Sequence, residues 1–302
     1  MKAVVVPEFG GPEVLRTAEL PDPEPGPGEV RVRVHAAGVQ PVDLAVRSGY
    51  SPPGAVLALP AVLGNEFAGV VDRTGPGVER WKTGDEVIGF RTLTAQAELV
   101  VVDAGQLAAK PAAMPWEQAG ALSASGQTAH TALSVLGVGP GDTVLVHGAS
   151  GGVGTIAVQL ARAWGATVVA TASERNHAYL RELGALPVAY GEGLVERVRA
   201  VAPQGVDAAL DAAGRGALEA SLELVADRAR IGTLVDFEGA AKHGVHAVRT
   251  DRTAERLTRL VELWEAGGLR VEVAETLPME RAAEAHRLVG TGHVRGKVVL
   301  TF

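Results

Sequence analysis

Apolar and polar positions along the first third of the chain follow the pattern of short strands. Alternating or continuous apolar segments, separated by turn residues, occur at 2–6, 29–36, 67–72, 86–90 and 97–102. This spacing predicts a small, twisted, barrel-like β domain. Between the first two segments the chain is rich in proline and glycine, and we expect a stiff connector at the surface there.

The pattern changes from about residue 116, where helical periodicity begins to alternate with short apolar runs. Strands are predicted at 143–147, 167–170, 187–190, 208–211 and 230–235. Strands that alternate with helices are typical of a parallel, doubly wound sheet. The remaining elements are predicted as two helices and a final strand, at 255–265, 280–288 and 296–302.

A glycine-rich turn joins the strand predicted at 143–147 to a helix predicted at 155–164. It consists of Ala149, Ser150, Gly151, Gly152, Val153 and Gly154. Glycine allows a sharp turn and a close approach of the backbone to a ligand, and a helix N-terminus offers unpaired N–H groups to phosphate. The turn therefore predicts a site for a dinucleotide pyrophosphate, although Ala149 stands at the first glycine position of the usual motif. The alternative is a tight strand–helix turn that binds no ligand.

The residues after the second strand of this region indicate which dinucleotide is bound. NAD-selective sites place an acidic residue near that strand end, where it holds the ribose 2′-hydroxyl. Here Ser173 stands at this place, followed by Arg175 and Asn176. A guanidinium beside a hydroxyl suits a 2′-phosphate, whereas Glu174 argues mildly for NAD. We therefore expect the cofactor to be NADPH (NADP+). The alternative is that Arg175 is a solvated residue at a helix start and binds no phosphate.

Composition limits the classes of protein to which this chain can belong. The chain has 302 residues, enough for two domains, is 47% hydrophobic and 21% charged, and carries a net charge of −7. Because there is no basic cluster we expect no nucleic-acid partner, and because no apolar stretch reaches about 18 residues we expect no membrane span. The absence of cysteine excludes disulfides and thiolate zinc sites. The first residues lack a signal-peptide pattern, so we expect a cytoplasmic location.

Several segments together resemble one family. They are residues 9–15 (FGGPEVL), 36–43 (AAGVQPVD), 64–71 (GNEFAGVV), 149–154 (ASGGVG) and 295–300 (RGKVVL). In this order the chain resembles the zinc-independent, zeta-crystallin-like quinone oxidoreductases of the medium-chain dehydrogenase/reductase superfamily. The resemblance implies an α/β fold with two domains. These are a GroES-like, partly open β-barrel catalytic domain formed by 1–120 and 248–302, and a Rossmann domain with a doubly wound parallel sheet, 121–247, that binds NADP.

The resemblance also implies that no metal is bound. Zinc-dependent relatives have a cysteine shortly after the AAGV segment and a histidine in a Gly-His-Glu triplet. This chain has Asp43 near the first position and Asn65 at the second. His243 and His246 lie three residues apart but have no acidic neighbours, so we expect them to be structural.

The activity that the resemblance implies is hydride transfer from NADPH to a quinone or to an α,β-unsaturated carbonyl. Relatives place the nicotinamide against a hydroxyl residue, which Thr128 matches here; a helical threonine that bonds to its own backbone is the alternative. Tyr190 matches a tyrosine that lies near the adenosine phosphate in relatives. Gly191 replaces the arginine that usually follows it, which weakens the case for NADPH.

On the substrate side the chain departs from its relatives. Gln40 replaces the usual asparagine, and Ala45 stands where many relatives have a pocket tyrosine. We expect Tyr50 to supply part of that aromatic contact. Asp43 matches a residue that faces the substrate, and it is expected to act either as a proton donor, with a pKa raised by burial, or as a structural hydrogen-bond acceptor.

Two other functions stay open. An enoyl-thioester reductase of the kind that serves polyketide or fatty-acid synthesis uses the same cofactor chemistry, and a non-catalytic NADPH-binding protein is the alternative from another class. Relatives pair by extending the sheet of the cofactor domain. We therefore expect a homodimer formed through residues 230–235 and 244–248.

Overall fold

The computed structural model describes residues 1–52 and 57–302, which form two compact units. The first, called here the β-rich unit, comprises residues 1–124, 252–265 and 271–302. The second, called here the parallel-sheet unit, comprises residues 125–251 and 266–270.

The strands and helices follow one another closely along the chain. The strands are β1 (Lys2–Val6), β2 (Arg16–Glu19), β3 (Glu29–Val39), β4 (Ala61–Val62), β5 (Glu66–Thr74), β6 (Glu86–Phe90), β7 (Leu99–Asp103), β8 (Leu107–Ala109), β9 (Thr143–His147), β10 (Thr167–Thr171), β11 (Leu186–Val188), β12 (Ala208–Asp211), β13 (Ile231–Thr233), β14 (His246–Ala247), β15 (Val273–Pro278) and β16 (Lys297–Thr301). The α-helices are α1 (Pro41–Arg47), α2 (Trp116–Val135), α3 (Gly152–Ala163), α4 (His177–Glu182), α5 (Leu194–Val201), α6 (Ala217–Leu224), α7 (Phe237–His243), α8 (Ala254–Glu265) and α9 (Ala282–Gly290). Over the described ranges, none of these helices has the length and apolar character needed to cross a membrane.

The β-rich unit is organised around the long strand β3. Its neighbours β5, β7 and β16 all run antiparallel to it, and the larger sheet has the order β15-β16-β3-β5-β6-β8. A smaller sheet has the order β2-β1-β4. Inward-facing side chains such as Val32, Phe67, Val87 and Leu107 form an apolar core. The small β domain predicted from the spacing of the strands is confirmed.

The parallel-sheet unit has the strand order β11-β10-β9-β12-β13-β14, and every neighbouring pair is parallel. Strand β9 is buried along its whole length, as its continuous apolar sequence predicts. The chain builds outward from β9 through β10 to β11 and then returns to β12 on the other side of β9. The strand order therefore reverses beside β9, and ligands of such sheets bind at the carboxyl ends of the strands at this point. The predicted doubly wound sheet is confirmed.

One strand of this sheet is shorter than its sequence predicts. The strand predicted at 230–235 comprises only β13, which ends at Thr233. The Thr233 hydroxyl accepts the N–H groups of Val235 (3.1 Å) and Asp236 (3.0 Å). Because a side chain takes over these backbone groups, the chain turns instead of continuing the ladder.

Three further differences concern the neighbourhood of the candidate site. The strand predicted at 187–190 begins one residue earlier and ends two residues earlier, as β11, and leaves Tyr190 in the following turn. Helix α3 begins at Gly152, three residues before the predicted start. Helix α1, which begins at Pro41, was not predicted.

Candidate active site

The glycine-rich turn lies at the carboxyl end of β9. Gly148 has a φ of 67°, in the left-handed region that favours glycine, and Gly151 then caps helix α3 with extended backbone. A Cβ on Gly154 would lie 2.6 Å from the Cα of Ala149, so a side chain there would require the turn to shift. Ala149 is fully buried and its N–H donates to Thr171 O (3.1 Å). Alanine is tolerated at the first glycine position because Gly148 makes the sharp bend.

Two serine hydroxyls are held together at the ends of β9 and β10. Ser150 belongs to the glycine-rich turn, and Ser173 caps the 3₁₀ turn that follows β10. The Nδ2 of Asn176 donates to Ser150 Oγ (3.0 Å) and to Ser173 Oγ (3.3 Å). Arg175 is exposed beside them. The structure therefore brings together Ser150, Ser173 and Asn176, all of which were predicted from the sequence as cofactor residues.

The turn after β11 carries Tyr190, which is 55% exposed. Arg197, in helix α5, holds this turn, because its guanidinium donates to the carbonyl oxygens of Ala189 (3.0 Å), Tyr190 (3.4 Å) and Gly191 (3.2 Å). Since β10 and β11 are neighbours, Tyr190 and Ser173 follow adjacent strands at the same edge of the sheet. The contribution of Arg197 was not predicted, because a lone arginine on an amphipathic helix is normally solvated.

Two ionisable residues at this edge serve the unit itself. Asp211, at the end of β12, accepts the N–H groups of Ala213 (2.8 Å) and Gly214 (2.7 Å) and the hydroxyl of Thr233 (2.8 Å). His147, at the end of β9, is buried, and burial lowers its pKa to about 4. Asp211 therefore shapes its own loop, and His147 is uncharged at neutral pH.

Thr128, in helix α2, is bound to a second hydroxyl residue. Its Oγ1 lies 2.7 Å from Thr250 Oγ1. On the same helix, Thr131 donates to the carbonyl oxygens of Gln127 (2.8 Å) and Asp251 (3.2 Å). The helix and the segment after β14 are thus joined by side-chain hydroxyls. The sequence contains no local signal for this pairing, because Thr128 and Thr250 are 122 positions apart.

In the β-rich unit, Gln40 and Asp43 form the start of helix α1. The Gln40 N–H donates to Asp43 Oδ2 (2.8 Å) and the Asp43 N–H donates to the main-chain oxygen of Gln40 (3.0 Å), with Pro41 in the first turn. The Asp43 carboxylate also accepts the Gly64 N–H (3.3 Å) and Asn65 Nδ2 (3.0 Å). The spacing of Gln40, Pro41 and Asp43 is the signal from which α1 was predictable.

Burial raises the pKa of the Asp43 carboxyl to about 7, although the N–H groups of Gln40 and Gly64 and the charge of Lys297 act to lower it. The raised pKa that a proton donor requires is therefore present. However, the groups that bind this carboxylate all donate to it, including Gln96 Nε2 at 3.4 Å. This arrangement favours the structural role for Asp43 over proton donation.

A second buried carboxylate, Glu66, lies beside Asp43. Its Oε1 accepts from Lys297 Nζ (3.0 Å) and Gln40 Nε2 (2.6 Å), and its Oε2 accepts the N–H of Ala124 in helix α2 (2.6 Å). Glu66 is fully buried, so the Lys297 ammonium offsets a charge that burial alone would make unfavourable, and the Gln40 amide adds a hydrogen bond. Gln40, predicted as a substrate-side residue, is thus bound to Glu66 and to helix α1. The Glu66–Lys297 pair was not predicted.

Tyr50 follows helix α1 and is 48% exposed. Its N–H donates to Ala45 O (2.9 Å), which fixes the backbone and leaves the ring at the surface. Phe9, also half exposed, lies beside Gly49. This part of the β-rich unit therefore presents aromatic surface.

The residues at the positions of zinc ligands in relatives do not fit zinc. Asn65 directs its amide nitrogen to Asp43, the oxygens of Asp43 are already bound by donors, and the chain has no cysteine. Among the described residues, no group of three or more histidine, aspartate or glutamate side chains could hold a metal ion. His243 ends helix α7 whereas His246 lies in β14, so these two histidines do not share a helix face.

Two family models match parts of the chain. Residues 26–112 match the alcohol dehydrogenase GroES-like domain, and residues 183–300 match the zinc-binding dehydrogenase family. The second description is that of the family, and it does not by itself assign a zinc ion to this chain.

Individual proteins match over nearly the whole chain. The quinone oxidoreductase of Salmonella typhimurium is 34% identical over an alignment of 323 positions, which covers 97% of each chain. A pikromycin polyketide synthase component of Streptomyces venezuelae is 35% identical over 289 residues, covering 89% of this chain and 8% of that protein. Among solved structures, Escherichia coli quinone oxidoreductase complexed with NADPH has a TM-score of 0.88 at 29% identity and covers 100% of both chains.

Proposed function

Because this chain belongs to the quinone oxidoreductases of the medium-chain dehydrogenase/reductase superfamily, and is therefore an oxidoreductase, we propose that it transfers a hydride from NADPH to a quinone or an α,β-unsaturated carbonyl without a metal. The parallel-sheet unit is proposed to bind the cofactor, and the β-rich unit is proposed to bind the acceptor. This assigns the chemistry to the cofactor and the acceptor, and it assigns binding and orientation to the protein.

The cofactor is proposed to lie along the carboxyl edge of the parallel sheet. The residues proposed to bind it are Ala149, Ser150, Gly151, Gly152, Val153, Gly154, Ser173, Arg175, Asn176 and Tyr190. The glycine-rich turn and the start of helix α3 offer backbone N–H groups to the pyrophosphate. The residues after β10 and β11 are proposed to bind the adenosine end.

The proposed preference for NADPH over NADH rests on the residues at the end of β10. Ser173 stands near the strand end where an NAD site has an acid, and Arg175 follows it at the surface. The neighbouring turn, with Tyr190, is held by the guanidinium of Arg197. The carboxylate of Asp211 is occupied by its own loop. Hydroxyl and guanidinium groups therefore characterise this edge, where the Asp211 carboxylate is occupied and the Glu174 side chain is exposed.

Thr128 is proposed to hold the nicotinamide end of the cofactor. When bound, NADPH supplies the hydride. The pairing of the Thr128 and Thr250 hydroxyls restricts the rotation of both side chains, so the contact is formed in advance. Placing the reacting groups in this way lowers the barrier without any proton transfer by the threonine.

The acceptor is proposed to be electrophilic by itself, because no cluster among the described residues fits a zinc ion that would polarise a carbonyl. Quinones and α,β-unsaturated carbonyls meet that requirement. Tyr50 is proposed to contact a flat acceptor with its exposed ring, whereas Gln40 and Asp43 shape the surrounding surface through helix α1. Since Asp43 is surrounded by donors, we propose that solvent supplies the proton that completes the reduction.

The test is oxidation of NADPH and of NADH by the purified protein with a flat quinone, a short enone and an enoyl thioester. We expect turnover of the quinone or the enone, with NADPH preferred. A preference for NADH would overturn the assignment of Ser173 and Arg175. Binding of NADPH without turnover of any of the three acceptors would indicate a non-catalytic protein.

A second candidate function is the reduction of an enoyl thioester. The observation that favours it is the similarity to a polyketide synthase component over 89% of this chain, at 35% identity. The same experiment separates the two candidates, because turnover of the thioester alone would select this one.

The chain is further proposed to act in the cytoplasm as a homodimer. Pairing is proposed through the sheet edge formed by β13 and β14, where both residues of β14 are exposed. Light scattering coupled to size exclusion measures the mass in solution, and a monomer at micromolar concentration would overturn the dimer.

A further inference from the structure

Asn176 joins two loops that approach the cofactor separately in the proposed function. Its Nδ2 donates to Ser150 Oγ (3.0 Å) in the glycine-rich turn and to Ser173 Oγ (3.3 Å) after β10. Asn176 is only 7% exposed, and its backbone N–H donates to Ser173 O (2.9 Å). Burial and this backbone bond keep the amide in one place.

The direction of these hydrogen bonds determines what the serines can offer to a ligand. A serine hydroxyl has one hydrogen to donate and two lone pairs to accept with. Accepting from Asn176 uses a lone pair on each of Ser150 and Ser173 and leaves both hydrogens. Within the described part of the chain, neither hydroxyl hydrogen has a protein acceptor. Both hydroxyls are therefore set to donate, which suits phosphoryl oxygens.

The polar groups nearby are consistent with a bound anion. Arg175 is exposed next to Asn176, and Arg197 holds the adjacent turn. The Asp211 carboxylate at the same sheet edge is bound by its own loop and by Thr233.

We propose that Asn176 is a positioning residue that keeps Ser150 and Ser173 as hydrogen-bond donors and so selects a dinucleotide with phosphoryl oxygens at both places, the pyrophosphate and the 2′-phosphate. This inference rests on the proposed function. It adds that the two phosphate subsites are coupled, because one amide orients both hydroxyls. Reversing the direction of that amide's hydrogen bonds would weaken both.

The experiment measures binding of NADPH, NADH and adenosine 2′,5′-bisphosphate by calorimetry, without any turnover. Asn176→Asp replaces the donor by an acceptor, which draws both serine hydrogens inward, and we expect NADPH affinity to fall about 30-fold. Ala178→Asp is the matched control, because it adds the same charge at an exposed residue two positions later. We expect the control to change NADPH affinity less than about threefold. Equal losses in the two variants would overturn the proposal.

A double-mutant cycle tests whether Asn176 acts through the serines. Asn176→Ala is expected to lower affinity for adenosine 2′,5′-bisphosphate about tenfold in the native chain and less than about twofold when Ser150→Ala and Ser173→Ala are already present. An equal loss in both backgrounds would overturn the positioning role.

Two outcomes separate this inference from the proposed function. If the native chain binds neither NADPH nor NADH, the proposed function fails. If the native chain binds NADPH and Asn176→Ala binds it equally well, only this inference fails. Should the Asn176 variants not fold, the serine variants decide. Ser150→Ala with Ser173→Ala must then bind adenosine 2′,5′-bisphosphate more weakly than the native chain, and unchanged affinity would overturn the proposal.

Discussion

The two units use buried polar groups in different ways. In the β-rich unit, Gln40, Asp43, Glu66 and Lys297 bind one another and the backbone around them; we call this set the carboxylate network. In the parallel-sheet unit, the Asn176 amide donates to the hydroxyl oxygens of Ser150 and Ser173 and leaves both hydroxyl hydrogens available. A network whose groups bind one another makes the fold rigid, whereas the serine hydrogens in the second case remain available to a ligand. Substitutions in the carboxylate network should therefore change the free energy of unfolding, and substitutions of Asn176 or the two serines should change ligand affinity.

The largest effect is expected from Glu66→Gln. The substitution leaves the buried Lys297 ammonium without a carboxylate, so the free energy of unfolding should fall by about 3–5 kcal/mol. Urea denaturation measures this. Glu223→Gln is the control, because the side chains of Glu223 and of its partner Arg199 are each 56% exposed, and we expect a loss of at most about 1 kcal/mol. Similar losses in the two variants would show that the carboxylate network does not support the fold.

The next effect is expected from Gly154→Ala. The new Cβ would meet Gly148 O and the Ala149 Cα, so the glycine-rich turn must shift, and we expect NADPH affinity to fall about 100-fold, or about 2.7 kcal/mol. Fluorescence titration with NADPH measures this loss. Gly139→Ala is the control, since a Cβ there has no heavy atom within 4 Å. If Gly154→Ala binds NADPH as tightly as the control, the turn is not the pyrophosphate site.

The next effect, of about 1.4 kcal/mol for each pH unit, concerns the pH dependence of stability. Burial raises the pKa of Asp43 from 3.8 to about 7 in the folded protein. Between these values the folded state keeps a proton that the unfolded state releases, so this group lowers stability as the pH rises from about 4 to about 7, by about 1.4 kcal/mol per pH unit.

Two buried histidines act in the opposite sense over an overlapping range. Burial lowers the pKa of His147 to about 4 and that of His286 to about 3, so the stability that these groups support is lost as the pH falls below about 6.5. Removing the Asp43 contribution with Asp43→Asn should therefore make stability fall more steeply as the pH decreases. The slope of the unfolding free energy against pH should increase by about 1.4 kcal/mol per pH unit, which corresponds to one proton. Urea denaturation at pH 5, 6 and 7 measures the slope; parallel curves for the two proteins would mean that Asp43 does not titrate in this range.

The smallest effect is expected from Thr250→Val. Valine keeps the shape of threonine but removes the hydroxyl that binds Thr128, so kcat/KM for the acceptor should fall about fivefold, or about 1 kcal/mol, with little change in the melting temperature. Thr258→Val is the control, because the Thr258 hydroxyl donates to Ala254 O in its own helix. Unchanged kcat/KM in Thr250→Val would remove the proposed role of the pair.

What the sequence predicts well depends on short-range signals. The glycine-rich turn, the buried strand before it and the serine after β10 are each visible within a few residues, and the doubly wound sheet follows from their order. The position of helix α1 was also readable from Gln40, Pro41 and Asp43, although it was not predicted. Local signals of this kind are fixed by backbone preferences and by side chains that bond to nearby N–H groups.

The unpredicted parts depend on pairs that are distant in sequence. Glu66 meets Lys297 only when β16 packs beside β3, and Thr128 meets Thr250 across 122 residues. The role of Asn176 depends on the direction of hydrogen bonds, which only the packed loops determine. A single sequence shows that these residues are present but does not show which of them are in contact.

The two edges of the parallel sheet differ in their ability to accept a further strand. At the β11 edge, the middle residue of three is Pro187, which has no N–H to donate, so an added strand would find an incomplete ladder. At the β14 edge, neither residue is a proline and both are exposed, so no backbone N–H is missing from that strand. Two copies that join through β14 would leave only β11 edges outside. Assembly would then stop at two copies instead of growing into a filament.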